Sequence, residues 1–233
     1  MMEGSHVHGS NYRLRLRHRL RVRQPVCRQQ PDRSCGLPQG KKPGKLTALG
    51  DGVHFHQLDV SDEAAVKLFA VGIANEKIDI FINNAATFAP DGPGSLMLPD
   101  VDEFTRVMRV NAVAPVYIAE ALVDQVASSD RKLMIFIGTR SGSIGDNGSG
   151  GHYAYRCSKA ALNMAVKSIS IEFAQRSIVA AVLHPGSVAT ETRTGGTGIP
   201  VDESVTGMRN VIDGLTAEMS GTFQRFDGGT IEW

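Results

Sequence analysis

Four apolar runs of strand length constrain this chain more than any other feature. They are "VHFHQLDV" (53–60), "IDIFINNAA" (78–86), "KLMIFIG" (132–138) and "IVAAVLHPG" (178–186). The middle two are nearly continuous in apolar residues, as strands buried on both faces must be. Helical patterns separate them. "SDEAAVKLFAVGIA" (61–74) has Ser61 as a candidate N-cap and Ala64, Ala65, Leu68 and Phe69 at helical spacing. Residues 100–127 read as one long helix, 153–174 as another and 202–215 as a third. Residues 87–99, rich in Pro and Gly, and 141–151, rich in Gly, read as loops. Strands alternating with helices this long predict right-handed βαβ units and an α/β fold. The expected architecture is a doubly wound parallel sheet, Rossmann-like, in a single domain. No internal repeat is visible.

In such sheets ligands lie outside the carboxyl ends of the strands. Here those ends carry Asp59, "NNAA" (83–86), "GTRSGS" (138–143) and "HPGSVATET" (184–192). Each alone is ordinary turn or capping chemistry. Four together, at four successive strand ends, point to a site.

Composition excludes several other classes. Hydrophobic residues make up 42% and charged residues 21%, a soluble globular balance. No apolar run approaches a membrane span, and no apolar leader segment is visible. Cys27, Cys35 and Cys157 are an odd set with no repeating spacing. They predict a reducing, cytoplasmic location and neither a disulfide framework nor a zinc site.

Chemistry enters with "YRCSK" (155–159). Tyr155 and Lys159 are four residues apart, on one face of a helix. A phenol titrates near pH 10, too high to trade protons at neutral pH. A neighbouring ammonium would lower that value, and the phenol would then serve a carbonyl or alcohol oxygen as acid or base.

The pair alone is weak evidence, but its company is not. "LDV" (58–60), "NNAA" (83–86), Asn111 in "RVNAVAP", "YRCSK" and "HPGSVAT" (184–190) stand in the order and spacing of one family. From about residue 46 to Trp233 the chain resembles the short-chain dehydrogenases/reductases. Within them it is similar to the C-factor and sniffer-like carbonyl reductases, whose Tyr-x-Tyr-Arg-x-Ser-Lys segment and Asp-Gly-x-x-Ile-x-Trp ending match "YAYRCSK" and "DGGTIEW". The resemblance implies an NADP- or NAD-dependent carbonyl reductase acting on a small carbonyl or alcohol. Tyr155 would be the acid/base. Lys159 would tune it and hold the nicotinamide ribose. Asn111 would organise a relay water. Asp59 and Val60 would contact the adenine. Asn84 and Ala85 would lie along the ribose side, and Pro185, Gly186, Val188 and Thr190 along the nicotinamide. It also implies a homodimer or homotetramer through the helices at 100–127 and 153–174.

One motif departs. The family strand before the site ends Ile-Ser-Ser, and the second Ser orients the substrate oxygen. This chain reads "IGTRSGS" (137–143), which puts Thr139 in that place, with Ser141 and Ser143 as fallbacks. Thr also offers a hydroxyl. His152 and Tyr153 stand next to the site, as pocket lining or as packing residues.

A second departure is larger. Residues 1–45 carry eleven basic and two acidic side chains, whereas residues 46–233 carry fourteen basic and twenty-two acidic ones. Arg stands at every odd position from Arg13 to Arg23. The segment shows no apolar strand. It also lacks the family's Thr-Gly-x-x-x-Gly-Ile-Gly, whose N–H groups hold the pyrophosphate. Residues 1–45 thus read as an atypical segment in place of the first βα unit, before a dehydrogenase domain at 46–233. Three explanations compete. Read one base out of frame, the Arg-Leu codons permit the missing glycine motif in register over residues 12–19. Alternatively the segment is a basic arm for nucleic-acid phosphates, or an amphipathic edge strand. The corresponding function classes are a reductase, a cofactor-impaired dehydrogenase-like protein and a nucleic-acid-binding regulator on a dehydrogenase scaffold.

Overall fold

The computed structural model describes residues 14–15, 34–37, 54–89, 100–189 and 198–233. Seven strands form one sheet: β1 (Leu14–Arg15), β2 (Ser34–Leu37), β3 (His54–Gln57), β4 (Ile80–Asn83), β5 (Leu133–Ile137), β6 (Val179–His184) and β7 (Phe223–Arg225). Their order across the sheet is β3-β2-β1-β4-β5-β6-β7. From β4 to β7 every pairing is parallel, and so is β2 with β3. This is the expected doubly wound α/β sheet.

Its two faces follow strand alternation. Met134, Phe136, Ala180 and Val182 point to one face. There they meet Val66 of α1 (Glu63–Gly72), Ile118 of α3 (Ala114–Ala121), and Leu162 and Val166 of α5 (Tyr153–Glu172). Leu133, Ile135, Val179 and Leu183 point to the other face, against Ile212 of α6 (Val201–Asp213). Burying each such side chain contributes about 1.5–3 kcal/mol, so these strands are held from both sides.

The segment expected to lack a strand contributes two. β1 is only two residues long and lies antiparallel to both β2 and β4, meeting β4 through Leu14 and Asn83. The place beside β4 is therefore occupied rather than left as an open edge.

Three local expectations are corrected. The N-cap of α1 is Asp62, whose carboxylate accepts from the N–H groups of Ala64 (2.9 Å) and Ala65 (3.2 Å). Ser61 instead donates its hydroxyl to Asp59. The buried stripe of α1 is Val66, Ala70 and the following Ile73, with Ala65 and Phe69 packed beside it, while Ala64 and Leu68 face outward. The apolar spacing was right to within one residue, but a shift of one residue turns a helix face by 100°.

The long helix at 100–127 is broken. α2 (Val101–Met108) passes into a wide turn at Arg109–Val113, then α3, then α4 (Val123–Ala127). The Ala114 N–H reaches back five residues to the Arg109 carbonyl. Pro115 has no N–H, and its ring crowds the carbonyl four residues earlier, so the regular ladder cannot run through this point. The displaced residue at the centre of the wide turn is Asn111. No helix among the described residues is long and apolar enough to cross a membrane.

Candidate active site

The site is built where β5 gives way to α5. Gly138 ends β5, where a Cβ would lie 2.3 Å from Cγ1 of Val182. Only glycine lets this strand end press against β6. Thr139 follows in extended conformation and caps a short 3₁₀ turn (Arg140–Gly142), its Oγ1 accepting from the Ser141 N–H at 3.3 Å. Gly142 packs directly on α5, where a Cβ would stand 2.8 Å from Cβ and 2.9 Å from the carbonyl carbon of Lys159. Asn163 donates to the Gly142 carbonyl at 3.0 Å. The turn that follows Thr139 is thus held on the helix that carries Tyr155.

The Thr139 hydroxyl stands beside the Tyr155 phenol, where it favours the phenolate against the opposing effect of burial. Of the three hydroxyls considered for the substrate oxygen, Thr139 is the one the fold brings to the tyrosine. The Ser143 hydroxyl accepts from the Asp146 N–H at 3.1 Å and is committed to the loop.

Lys159 is 3% exposed, and its Nζ donates to the Ile137 carbonyl at 3.0 Å. It stands 6.0 Å from the centroid of the Tyr155 ring. Burial in the sheet pushes its pKa down to about 8. The expected lowering of Tyr155 by this ammonium is not what the structure gives. Burial pushes the phenol above its ordinary value, and the Thr139 hydroxyl only partly opposes that. Lys159 is turned toward the β5 carbonyl, and its own charge is disfavoured by the same burial.

Asn111 is fully buried. Its Oδ1 accepts from the Thr87 N–H at 2.8 Å, and its Nδ2 donates to the Thr87 carbonyl and to Ser158 Oγ, both at 2.9 Å. Ser158 Oγ in turn donates to the Tyr155 carbonyl at 2.8 Å. The Asn111 side chain therefore ties the segment after β4 to the turn of α5 that bears the tyrosine. It is spent on this staple rather than available to a relay water. The Asn111 carbonyl is the group that loses a helical donor at Pro115.

Two features were not read from the sequence. Ser158 lies inside the quoted motif yet had no role assigned, and the spacing of the motif could have drawn attention to it. Phe88, half exposed, tilts over Tyr155 at a centroid distance of 4.3 Å and meets His152 edge-on at 5.5 Å. Arg106 holds that segment, donating to Thr87 Oγ1 at 2.7 Å and to the Phe88 carbonyl at 3.1 Å. No local pattern signals this contact, because it joins a loop to a distant helix. His152 is thus placed beside the site, whereas Tyr153 opens α5 with an exposed ring.

The remaining candidates lie along the same carboxyl edge. Asp59 closes its own turn, Oδ1 accepting from the Ser61 N–H (2.9 Å) and hydroxyl (2.7 Å), and Val60 is buried beside it. Asn83 Oδ1 accepts from the Ala85 N–H at 3.3 Å, which leaves Asn84 half-buried at the edge and Ala85 in the core. After β6, Pro185 accepts from Ser204 Oγ at 2.6 Å, and Gly186 adopts φ +80°, with Ile199 Cδ1 only 2.7 Å from where a Cβ would sit. Val188 pairs with Ile199 in a single bridge. Thr190 lies outside the described residues.

The pattern of the family described as short chain dehydrogenase matches residues 40–196. The chain belongs to that family. The dehydrogenase is also 36% identical to C-signal of Myxococcus xanthus over 172 residues, covering 72% of this chain and all of that protein. Its fold is similar to that of the carbonyl reductase Sniffer of D. melanogaster (TM-score 0.74, 26% identity, 81% of this chain and 82% of the other). It is likewise similar to an NADPH-bound carbonyl reductase from chicken fatty liver (TM-score 0.73, 26% identity, 83% and 85%). This dehydrogenase is an NAD(P)-dependent oxidoreductase. The described residues fit such a group. Val60 and Ala85 are buried at two successive strand ends, Gly186 clears a turn by its positive φ, and Lys159 spends only one of three N–H donors on Ile137.

Proposed function

We propose that the dehydrogenase reduces small carbonyl compounds, with Tyr155 as the acid that protonates the substrate oxygen and Thr139 as the hydroxyl that orients it. The observation that carries this reading is the packing of the Thr139–Gly142 turn on the helix that bears Tyr155, which sets the Thr139 hydroxyl beside the phenol, with Lys159 one helical turn away on the same face. Lys159, Asn84 and Ala85 would hold the nicotinamide ribose side. Asp59 and Val60 would hold the adenine, and Pro185, Gly186, Val188 and Thr190 the nicotinamide. When bound, NADPH supplies a hydride to the carbonyl carbon. Tyr155 delivers the proton to the carbonyl oxygen. The main-chain carbonyl of Asn111, left without a helical donor by Pro115, would receive the water that returns that proton. Phe88 and His152 form an aromatic wall beside the reacting oxygen.

Direction follows from the raised phenol. A group pushed above pH 10 is protonated throughout the neutral range and ready to act as an acid. Carbonyl reduction is therefore expected to be flat between about pH 6 and 8, whereas alcohol oxidation, which needs the phenolate, climbs as pH rises. Initial rates in both directions across that range check this. Equal pH dependence in the two directions would remove Tyr155 from the proton path.

Thr139→Val is expected to lower kcat and kcat/KM together by about 10²-fold, as loss of one preorganised donor does. Ser141→Ala is expected to leave both nearly unchanged. The reverse ranking moves the role to Ser141.

The reading places the enzyme in a reducing cytoplasm, consistent with a free, exposed Cys157. It also places copies of the chain side by side through α3 and α5, which present Val116, Tyr117, Met164 and Ile171 to solvent.

A further inference from the structure

The segment "DGGTIEW" (227–233) has no part in the chemistry above, yet the fold returns it to the site. β7 ends at Arg225, and a turn follows in which Gly228 has φ +88°. The Arg225 N–H meets the Gly229 carbonyl at 2.6 Å, and the Ile231 N–H meets the Phe223 carbonyl at 2.8 Å. The chain thereby doubles back along β7. The main-chain carbonyl of Trp233 accepts a hydrogen bond at 2.6 Å from the N–H of Ile144. The Trp233 ring stacks on Phe223 at a centroid distance of 5.6 Å and an interplanar angle of 24°.

This contact brackets the loop that bears Thr139. Phe223 lies behind Gly138, with Cε2 at 3.2 Å from where a Cβ would be, immediately before Thr139. Trp233 takes the N–H of Ile144, immediately after Ser143. The Phe223 ring therefore backs the inner end of residues 139–143, the Trp233 main-chain carbonyl holds the outer end, and the stacking of the two rings fixes where that carbonyl stands. The Asn163 bond to Gly142 supports the middle. Beyond Ser143 the loop is exposed, with the Ile144 side chain 77% accessible. The Trp233 contact is what joins its outer end to the sheet.

We propose that Trp233 is a positioning residue, which holds the 139–144 loop so that the Thr139 hydroxyl stays on Tyr155. The inference rests on the assignment of Thr139 and Tyr155 as the reacting pair. Trp233 acts through its main-chain bond to Ile144 and its stacking on Phe223. Aromatic stacking supplies the anchor, so another ring at this position should serve and an alkyl group should not.

The test uses readouts that need no turnover. In the full chain with ¹³C-labelled tyrosine, the Cζ signal of Tyr155 reports the polar surroundings of its oxygen at neutral pH. Tyr155→Phe assigns that signal, and Thr139→Val defines its position without the neighbouring hydroxyl. Trp233→Ala is expected to move it most of the way to the Thr139→Val position and to speed hydrogen exchange at Ile144 by about tenfold or more. Trp233→Phe is expected to restore both. Adding Trp233→Ala to Thr139→Val should move the signal no further. Where Trp233→Ala does not fold, Trp233→Leu makes the same comparison. In an actively turning-over enzyme, kcat should fall on the order of 10-fold to 100-fold, the cost of misplacing a reacting group by up to 1 Å, with KM for NADPH unchanged. A Tyr155 signal unmoved by loss of the Trp233 ring overturns the proposal, as does a shift that adds to that of Thr139→Val. Failure of the redox assignment shows elsewhere, as full turnover in Tyr155→Phe.

Discussion

Tyr155→Phe is expected to remove nearly all carbonyl reduction while leaving the fold intact. The substitution keeps the ring, and with it the contact with Phe88 at 4.3 Å. It deletes only the hydroxyl that Thr139 meets. The hydroxyl is neutral in the fold, so its loss costs no more than one net polar contact, about 0.5–1.5 kcal/mol. What disappears is the proton donor, a contribution of about 10²–10⁴-fold. The measurement is steady-state reduction of a small aldehyde or ketone in a version of the chain whose dinucleotide binding has been restored, alongside a thermal melt. Retention of more than about a tenth of the rate, a loss under about 1.4 kcal/mol, would show that the proton comes from elsewhere. A large drop in melting temperature would instead assign Tyr155 a structural part.

The second large effect concerns cofactor affinity. Calorimetric titration is expected to show that the chain as written binds NADPH only at millimolar concentration or weaker. Residues 6–45 contain no Gly-x-x-x-Gly-x-Gly. The structure adds a geometric reason. β1 runs antiparallel to β4, so its carboxyl end faces away from the edge where Thr139, Tyr155 and Lys159 stand. A pyrophosphate at that edge lacks the N–H donors that a parallel first strand would deliver. Losing three charge-assisted hydrogen bonds at about 1.5–3 kcal/mol each raises a micromolar Kd to millimolar or beyond. Arg side chains from the 13–23 run would attract phosphate only weakly and in a strongly salt-dependent way. The control is the same chain with residues 6–45 re-spelled in the shifted frame, which should bind in the micromolar range. Micromolar binding by the chain as written would overturn the expectation and make the Arg-rich segment a cofactor element.

Strand and helix type, sheet class and the line of polar corners were legible in the sequence. Each depends on a short-range pattern. An unbroken apolar run such as "IDIFINNAA" must be covered on both faces, and a spacing of four must put Tyr155 and Lys159 on one side of a helix. The same reasoning points to the ends of β3 to β6 as the place of the site. The break at Arg109–Val113 was legible too, in Pro115, but the strong apolar period around it reads as one helix. Only the fold shows that the period shifts there.

What tertiary structure alone decided was which groups meet. Thr139 rather than Ser141 or Ser143 faces Tyr155 because Gly138 lets β5 end against β6 and Asn163 pins the following turn to α5. Asn111 became a staple between Thr87 and Ser158, partners 24 and 47 residues away. The direction of the Tyr155 shift came from how deeply it is buried, which no spacing reveals. Leu68 shares the apolar period of α1 yet lies outward, 74% exposed, among the described residues. Local sequence sets which side chains share a face. The far side of each contact, and the burial that sets a charge's cost, come from segments many residues away, and these are placed only when the whole sheet closes.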